Sequence, residues 1–142
     1  MRRPLIMLMM SALAVLTACG RPFQVMDRDG MVRNSYQRIT QEEAARMMEE
    51  EDSYIILDVR TREEFESGHI PGAVCLPNED IDLDRPEDLT EVLPDRGQII
   101  LVYCRSGNRS RQASQKLADS GYTSVYEFGG INDWTGEVVT GP

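Results

Sequence analysis

The sequence predicts an α/β domain with a mainly parallel central sheet and helices on both of its faces. Short apolar runs typical of buried strands alternate along the chain with segments that carry helix-start signals. This alternation is typical of parallel strands joined by helical crossovers, which cover both sides of a sheet. About 120 residues follow a leader-like N-terminus, enough for one domain with a hydrophobic core but not for two.

Two predicted helices begin with a capping box, in which a threonine and a glutamate three positions later bond each other's backbone N–H groups. Thr40 with Glu43 begins one helix, and Thr61 with Glu64 begins the other. The apolar run between them ends in Asp-Val-Arg, as a strand does at the polar edge of a sheet. The predicted elements are therefore a helix over 40–51, a strand over 54–57 and a helix over 61–67.

Turn residues and apolar runs predict the remaining elements. A turn over 68–73 leads into a short strand over 73–76, and an irregular acidic segment over 78–91 includes the start of a helix over 86–93. The rest is predicted as a buried strand over 99–103, a turn over 104–109, a helix to about 120, a strand over 124–128 and a helical turn holding Trp134.

The stretch from Leu101 to Gly121 carries the predicted chemistry. Its apolar run stops abruptly at Cys104, and small and basic residues follow where the helix opens. The turn's N–H groups, the helix dipole and the charges of Arg105 and Arg109 favour an anion there. The same field favours the thiolate, which is the nucleophilic form of cysteine. An isolated cysteine after a strand is usually a small buried hydrophobe, but this polar setting favours a reactive one.

Three segments stand out together: CRSGNRS at 104–110, LDVRTREEFESGHIPGAVCLP at 57–77 and GGINDW at 129–134. They resemble the single-domain rhodanese-like family in order and spacing, from about residue 39 to about residue 138. The resemblance implies that fold and a sulfurtransferase whose loop cysteine, Cys104, carries a persulfide. It also places Asp58 and Arg60 on the family's Asp-x-Arg. The implied anion-binding loop consists of Arg105, Ser106, Gly107, Asn108, Arg109 and Ser110.

Four residues outside the loop are interpreted mainly as structural. Asp58 and Arg60 end a strand, where a carboxylate usually ties down loop amides or an arginine. His69 is the only histidine in the sequence, which excludes a Cys/His zinc cluster, and its turn position indicates a hydrogen-bonded structural role. Cys75 lies in the apolar run AVCL as an expected inert thiol, although a role in resolving oxidised or persulfidated Cys104 stays open.

The loop length distinguishes this chain from cysteine phosphatases, which place five residues between cysteine and arginine. Here four residues separate Cys104 from Arg109, and Ser110 occupies the position the phosphatase arginine would need. No residue offers a general acid for an aryl or alkyl leaving group. The predicted reaction moves a sulfane sulfur from a small sulfur-containing anion, or from a persulfide or polysulfide, to a thiol or cyanide. It needs no metal or organic cofactor. A non-catalytic binding or regulatory module is the alternative.

The N-terminus predicts export and lipid attachment. Residues 1–18 combine two arginines, an apolar run and small residues before Cys19, which resembles a bacterial lipoprotein signal peptide. Cys19 would then be the lipidated first residue, with 19–37 as a tether and 38–142 as the rhodanese-like domain; an ordinary cleaved signal is the alternative. The expected location is the bacterial cell envelope, with the domain lipid-anchored in the periplasm or on the outer face of the membrane.

Net charge limits the partners. The full chain carries −9, and residues 1–18 contribute two arginines and no acid, so the remainder carries −11. A chain this acidic repels nucleic acid, and its membrane contact would come through the lipid. We expect a monomer whose local positive field at Cys104 comes from the loop itself.

Overall fold

The structure, a computed structural model, describes residues 23–142 and has an α/β architecture. The strands are β1 (Gln24–Met26), β2 (Val32–Asn34), β3 (Gln37–Arg38), β4 (Ile55–Asp58), β5 (Val74–Cys75), β6 (Ile100–Cys104) and β7 (Val125–Gly130). The last five form one parallel sheet in the order β3-β7-β6-β4-β5, and β1 and β2 form an antiparallel hairpin that precedes it in the chain. The predicted α/β class with a parallel central sheet is confirmed. The helices are α1 (Gln41–Glu50), α2 (Arg62–Ser67), α3 (Pro86–Val92) and α4 (Asn108–Asp119), with 3-10 turns at Asn78–Asp80 and Ile131–Asp133.

The central strand β6 is buried along its whole length. Its side chains, from Ile100 to Cys104, are at most 1% exposed. A parallel strand covered on both faces needs a continuous apolar sequence, which this run supplies. Because β6 lies between β7 and β4, its last residue is at the middle of the sheet's carboxyl edge.

Helices cover the two faces of the sheet. On one face, Leu89 of α3 and Ala113 and Leu117 of α4 pack against the side chains of β4, β6 and β7. On the other face, Ala44 of α1 packs with Phe128 of β7. Alternate side chains of each strand point to opposite faces, so the two clusters form separate core layers. The prediction of helices on both faces is confirmed.

Both predicted capping boxes are present. The Thr40 hydroxyl accepts from the Glu43 backbone N–H at 3.1 Å, and the Glu43 carboxylate accepts from the Thr40 N–H at 2.7 Å. Thr61 and Glu64 make the same reciprocal pair at 3.3 and 3.0 Å. Because both partners lie within three residues, this structure follows from local sequence alone.

The N-terminal segment is more ordered than the sequence predicts. Within the expected tether over 19–37, the structure forms the hairpin of β1 and β2, and Gln37 begins the edge strand β3. The Ser35 N–H donates to the Phe23 carbonyl at 2.7 Å, and the Gln115 side chain on α4 donates to the Asn34 carbonyl at 3.0 Å. Strands of two or three residues are too short for a visible periodicity, so their tertiary partners decide them.

The expected signal peptide over 1–18 and the expected lipid attachment at Cys19 lie outside the described residues. From residue 23 onward, no helix has the length and apolar character needed to cross a membrane.

Tyr122 links the ends of two helical segments and provides a test of the packing. Its side chain is 1% exposed, and its hydroxyl donates to the Leu93 carbonyl at 2.7 Å, just after α3. Replacing Tyr122 with Phe leaves that carbonyl unpaired, so we expect a loss of about 1–2 kcal/mol in the free energy of unfolding, measured by urea denaturation. Tyr126→Phe, at a half-buried residue, is the matched control, and an equal loss there would contradict the assignment.

Candidate active site

The candidate site lies where three neighbouring strands end. Cys104 is the last residue of β6, Asp58 the last of β4 and Gly130 the last of β7. In open parallel sheets this edge is where ligands bind, because the loops that follow adjacent strands meet there. We call residues 104–110 the cysteine loop.

Two glycines allow the cysteine loop to be tight. Gly107 has φ +107°, in the left-handed region that favours glycine, and it turns the chain into α4. Gly130 approaches the loop from β7 so closely that a Cβ there would collide with the backbone carbonyl of Arg105. The Arg105 carbonyl also accepts from the Asn132 N–H at 3.2 Å. The loop is therefore clamped between its own turn and the end of β7.

Helix α4 begins earlier than the sequence predicts. The expected turn extends to Arg109, but α4 begins at Asn108, with Gly107 as its N-cap. Asn108, Arg109 and Ser110 are therefore in the first helical turn. Gly107 carries no side chain for capping, so the first N–H groups of α4 have no side-chain acceptor, and the Ser110 N–H bonds to the Cys104 sulfur instead.

Backbone donors surround the Cys104 sulfur. The Gly107 N–H donates to Sγ at 3.0 Å, and the Ser110 hydroxyl lies 3.4 Å from Sγ. Burial alone raises the pKa of the Cys104 thiol, since the side chain is 1% exposed. Hydrogen bonds from the Ser110 hydroxyl and from the N–H groups of Ser110, Gly107 and Ser106 outweigh burial and lower the pKa below its ordinary value. The geometry can hold a reactive thiolate without a neighbouring base.

The Arg109 guanidinium forms an ion pair with a carboxylate from another helix. Its Nη1 and Nη2 atoms donate to the two oxygens of Glu64 on α2, at 2.7 and 2.9 Å. The bonds from Arg109 outweigh partial burial and lower the pKa of Glu64 to about 2. The pair therefore stays ionised at neutral pH. Its contribution to stability is complete above the ordinary carboxyl pKa and is lost as the pH falls towards 2.

The other loop side chains form the mouth of the site. Arg105, Ser106 and Asn108 are exposed, and the Asn108 side-chain oxygen accepts from Arg111. Gly107 and Ser110 are buried. Two arginines are predicted to hold an anion. Arg105 is exposed, whereas the charge of Arg109 is paired with that of Glu64.

Ser110 connects the sulfur to a carboxylate that sequence reasoning missed. The Ser110 Oγ lies 2.6 Å from Glu127 Oε1, and Glu127, on β7, is 2% exposed. The same Glu127 oxygen accepts from the Gly129 N–H at 2.9 Å. The one available signal is a charged residue inside the apolar run of 125–128. Glu64 was visible only as a helix cap, because its partner is 45 residues away.

Asp58 and Arg60 form a buried pair beside the loop. Arg60 donates through Nε and Nη2 to the Asp58 carboxylate, with the shortest bond at 2.7 Å, and its Nη2 also donates to the Gly68 carbonyl at 2.7 Å. His69 donates from Nδ1 to the Phe65 carbonyl at 2.9 Å and stacks on the Phe65 ring. These contacts join the end of β4 to the turn after α2.

Cys75 lies on the wrong face of the sheet to react directly with Cys104. Asp58 of β4 is in register with both Cys75 of β5 and Tyr103 of β6, so the three side chains share a face. Cys104 follows Tyr103 and points to the other face. Two strand spacings separate β5 from β6, about 10 Å, whereas a disulfide needs Cα atoms within about 7 Å. Burial and the Asp58 charge also raise the pKa of the Cys75 thiol.

Comparison with known proteins identifies the family. The model of the rhodanese-like domain matches residues 40–137, which includes every element from the Thr40 cap to the 3-10 turn after β7. The chain belongs to the rhodanese-like family. It is similar to the thiosulfate sulfurtransferase PspE of Escherichia coli, with 34% identity over 77 residues that cover 54% of this chain and 70% of that protein. With the thiosulfate sulfurtransferase GlpE of Pseudomonas syringae it shares 36% identity, covering 70% of this chain and 87% of GlpE.

Longer relatives and solved structures agree with this placement. The adenylyltransferase and sulfurtransferase UBA4 of Meyerozyma guilliermondii is 37% identical over 60% of this chain, which spans 21% of that longer protein. A solved structure of E. coli rhodanese with anions has a TM-score of 0.56 and 31% identity, covering 63% of this chain and all of that one. The solved structure of the Alr3790 protein of Anabaena has a TM-score of 0.62 and 29% identity, covering 72% of this chain and 92% of that one. The rhodanese-like fold is thus established, and sulfurtransferases are among the relatives of this chain.

The contact between β7 and the cysteine loop generates a prediction. Gly130→Ala places a methyl group on the Arg105 carbonyl, so the loop must shift away from β7. We expect the rate of Cys104 alkylation by iodoacetamide at pH 7 to change at least several-fold, because the N–H groups around the sulfur move with the loop. Gly97→Ala, whose Cβ meets only the Asp95 side chain at 3.3 Å, is the control. Equal alkylation rates in both variants and the parent chain would contradict the proposed clamp.

Proposed function

We propose that this rhodanese-like protein is a sulfurtransferase that carries a sulfane sulfur as a persulfide on Cys104. The observation that carries the proposal is the Gly107 N–H at 3.0 Å from Sγ, at the start of α4. Backbone donors of this kind favour sulfur in its anionic form, first as thiolate and then as the outer sulfur of a persulfide. The similarity to PspE and GlpE, both named thiosulfate sulfurtransferases, supports thiosulfate as a donor.

In the first half-reaction, the Cys104 thiolate attacks the outer sulfur of thiosulfate. A sulfur–sulfur bond forms to Cys104, the sulfur–sulfur bond of thiosulfate breaks, and sulfite leaves with the electron pair. Charge balances without a proton, so no general acid is needed. Because Cys104 is 1% exposed, the reacting end of the donor must be narrow, which suits a single terminal sulfur atom.

In the second half-reaction, cyanide or an acceptor thiolate attacks the outer sulfur of the persulfide. The Cys104 thiolate is the leaving group and is restored for the next cycle. Since the donor's remainder leaves before the acceptor reacts, the kinetics should be ping-pong. Between the two steps, the N–H groups of the loop stabilise the negative outer sulfur.

Arg105 and Arg109 differ in how strongly they can attract an anionic donor. Arg105 is exposed at the mouth of the loop and carries a charge free to meet an incoming anion. Arg109 is half-buried, and its two bonds to Glu64 neutralise most of its field. A donor that reaches Arg109 must compete with Glu64, which lowers the affinity for a small dianion.

For location, we propose that the chain is exported and lipid-anchored in the bacterial cell envelope through Cys19. Cys19 lies four residues before Phe23, so the lipid would hold the domain within about 14 Å of the membrane surface along an extended chain. Gly20 follows Cys19, where an aspartate would favour retention in an inner membrane. The domain would then face the periplasm or the outer side of the membrane.

The persulfide is the first property to measure. After exposure to thiosulfate, intact mass spectrometry should detect a gain of about 32 Da on the chain, because one sulfur atom stays on the reacting cysteine. The added mass should disappear with cyanide, be absent in Cys104→Ser and persist in Cys75→Ala. No adduct from thiosulfate or polysulfide would reject the enzyme and favour the binding module.

The pairing of Glu64 with Arg109 generates a second prediction. Glu64→Gln keeps a capping side chain on α2 but removes the negative charge that occupies Arg109. We expect KM for thiosulfate to fall about three- to ten-fold at unchanged kcat, since binding of the dianion improves and the attack itself does not change. The pKa near 2 keeps Glu64 ionised, so the difference should persist from pH 5 to pH 9.

The control is Glu63→Gln, an exposed neighbour on the same helix that changes the net charge equally. If both variants lower KM to the same extent, overall charge is responsible and the specific competition is wrong. If Glu64→Gln raises KM, the carboxylate positions Arg109 for the donor instead of competing with it.

A further inference from the structure

Exposed apolar side chains are concentrated in the N-terminal hairpin of β1 and β2. The described residues expose eight large apolar side chains, and five of them lie within residues 23–32: Phe23, Val25, Met26, Met31 and Val32. The most exposed of the five are Met26 at 72%, Met31 at 58% and Val32 at 57%. A concentration of exposed apolar side chains marks a surface that contacts a membrane or another protein.

The three most exposed side chains lie together at the end of the hairpin. Met26 of β1 and Val32 of β2 are register partners, so their side chains share one face of the ribbon. Met31 directly precedes Val32 at the turn, and we call these three residues the apolar tip. The hairpin is joined to α4 at its base, where the Gln115 side chain donates to the Asn34 carbonyl. This attachment leaves the tip exposed.

The hairpin lies outside the part of the chain that matches the rhodanese-like family. That match begins at residue 40, after β3. The groups that bond to the Cys104 sulfur come from the cysteine loop and the start of α4, not from the hairpin. The apolar tip therefore serves neither the core of the shared domain nor its site, and a contact outside the domain accounts for it.

The net charge of the hairpin is opposite in sign to that of the rest of the domain. Residues 23–38 carry three arginines and two aspartates, a net charge of +1. Residues 39–142 carry nine basic and 22 acidic residues, a net charge of −13. A surface of anionic lipids attracts basic segments and repels acidic ones. The hairpin is therefore the part of the described chain that can approach such a surface most readily.

We propose that the apolar tip lies in the headgroup layer of the membrane that holds Cys19, so that the hairpin fixes the orientation of the domain. This inference rests on the proposed lipid attachment. Met26 is seven residues from Cys19 in the sequence, so the chain between them spans at most about 25 Å. Apolar side chains at the boundary between headgroups and acyl chains strengthen binding in proportion to the area they bury.

This contact directs Cys104 away from the membrane. Strand β3 follows the hairpin and runs parallel to β7, so the base of the hairpin lies at the amino edge of the sheet. Gln115, which holds that base, is in the second half of α4, whereas α4 begins at the cysteine loop. The hairpin and Cys104 are therefore at opposite edges of the sheet. A water-soluble sulfur donor then reaches the site from the aqueous side.

The test compares methionine oxidation in two forms of a chain that begins at residue 19. One form carries lipid on Cys19 and is bound to vesicles of phosphatidylethanolamine and phosphatidylglycerol. The other is Cys19→Ser, in solution beside the same vesicles. Chloramine-T, an anionic oxidant, converts exposed methionine to its sulfoxide, and peptide mass spectrometry gives the rate at each position. Relative to half-buried Met47 on α1, we expect Met26 and Met31 to oxidise about five-fold more slowly in the vesicle-bound form.

Two variants of the lipidated chain distinguish contact by the tip from simple closeness to the membrane. Met26→Gln with Val32→Thr removes apolar side chains from the tip, so we expect oxidation of Met31 to rise about three-fold towards the soluble rate. The control, Val74→Thr with Leu83→Gln, removes exposed apolar side chains elsewhere and should leave Met31 protected. A rise of equal size in the control would contradict the proposed contact.

Three further results would overturn the proposal. Equal relative rates at Met26 and Met31 in the lipidated and soluble chains reject the contact and leave the lipid attachment intact. A chain purified from bacterial membranes without the added mass of lipid on Cys19 rejects the anchored location and the contact with it. Protection in the soluble chain that grows with chain concentration assigns the tip to a second copy. None of these measurements involves Cys104, so their failure is distinguishable from a failure of sulfur transfer.

Discussion

The convergence of backbone N–H groups on one sulfur atom is the interaction on which the rest of the site depends. Strand β6 delivers Cys104 to the middle of the carboxyl edge, and Gly107 turns the chain so that its own N–H points back at Sγ. Gly130 supplies the space for this turn, because any side chain there would collide with the Arg105 carbonyl. Backbone dipoles held by a buried sheet need no reorganisation, so they stabilise an anionic sulfur at little cost during the reaction.

Three carboxylates accept hydrogen bonds from polar side chains around that sulfur. Asp58 pairs with the buried Arg60, Glu64 pairs with Arg109, and the buried Glu127 accepts from the Ser110 hydroxyl. In a chain with a net charge of −9, the positive character of the site is therefore confined to the loop N–H groups, the start of α4 and exposed Arg105. This arrangement favours a negative charge on sulfur over broad attraction of anions to the surface.

The sheet also separates the two described cysteines. Cys75 and Cys104 end β5 and β6, which lie on either side of β4 in the sheet, and the strand register places their side chains on opposite faces. Burial acts to raise the pKa of both thiols. The Asp58 charge adds to this effect at Cys75, whereas hydrogen-bond donors outweigh it at Cys104 and lower the pKa there. A single reactive thiol suits sulfur transfer, in which the second thiol comes from the acceptor.

The sequence by itself determined what depends on near neighbours: the capping boxes at Thr40 and Thr61, the buried run of β6, the parallel α/β class and the turn that follows Cys104. Each rests on residues a few positions apart, where periodicity and hydrogen-bonding chemistry act locally. The tertiary structure alone decided that Glu64 neutralises Arg109, that Glu127 bonds to Ser110, and that short strands order part of the expected tether. Those contacts join residues that no local pattern relates, because their distance in space is set by how the strands align in the sheet.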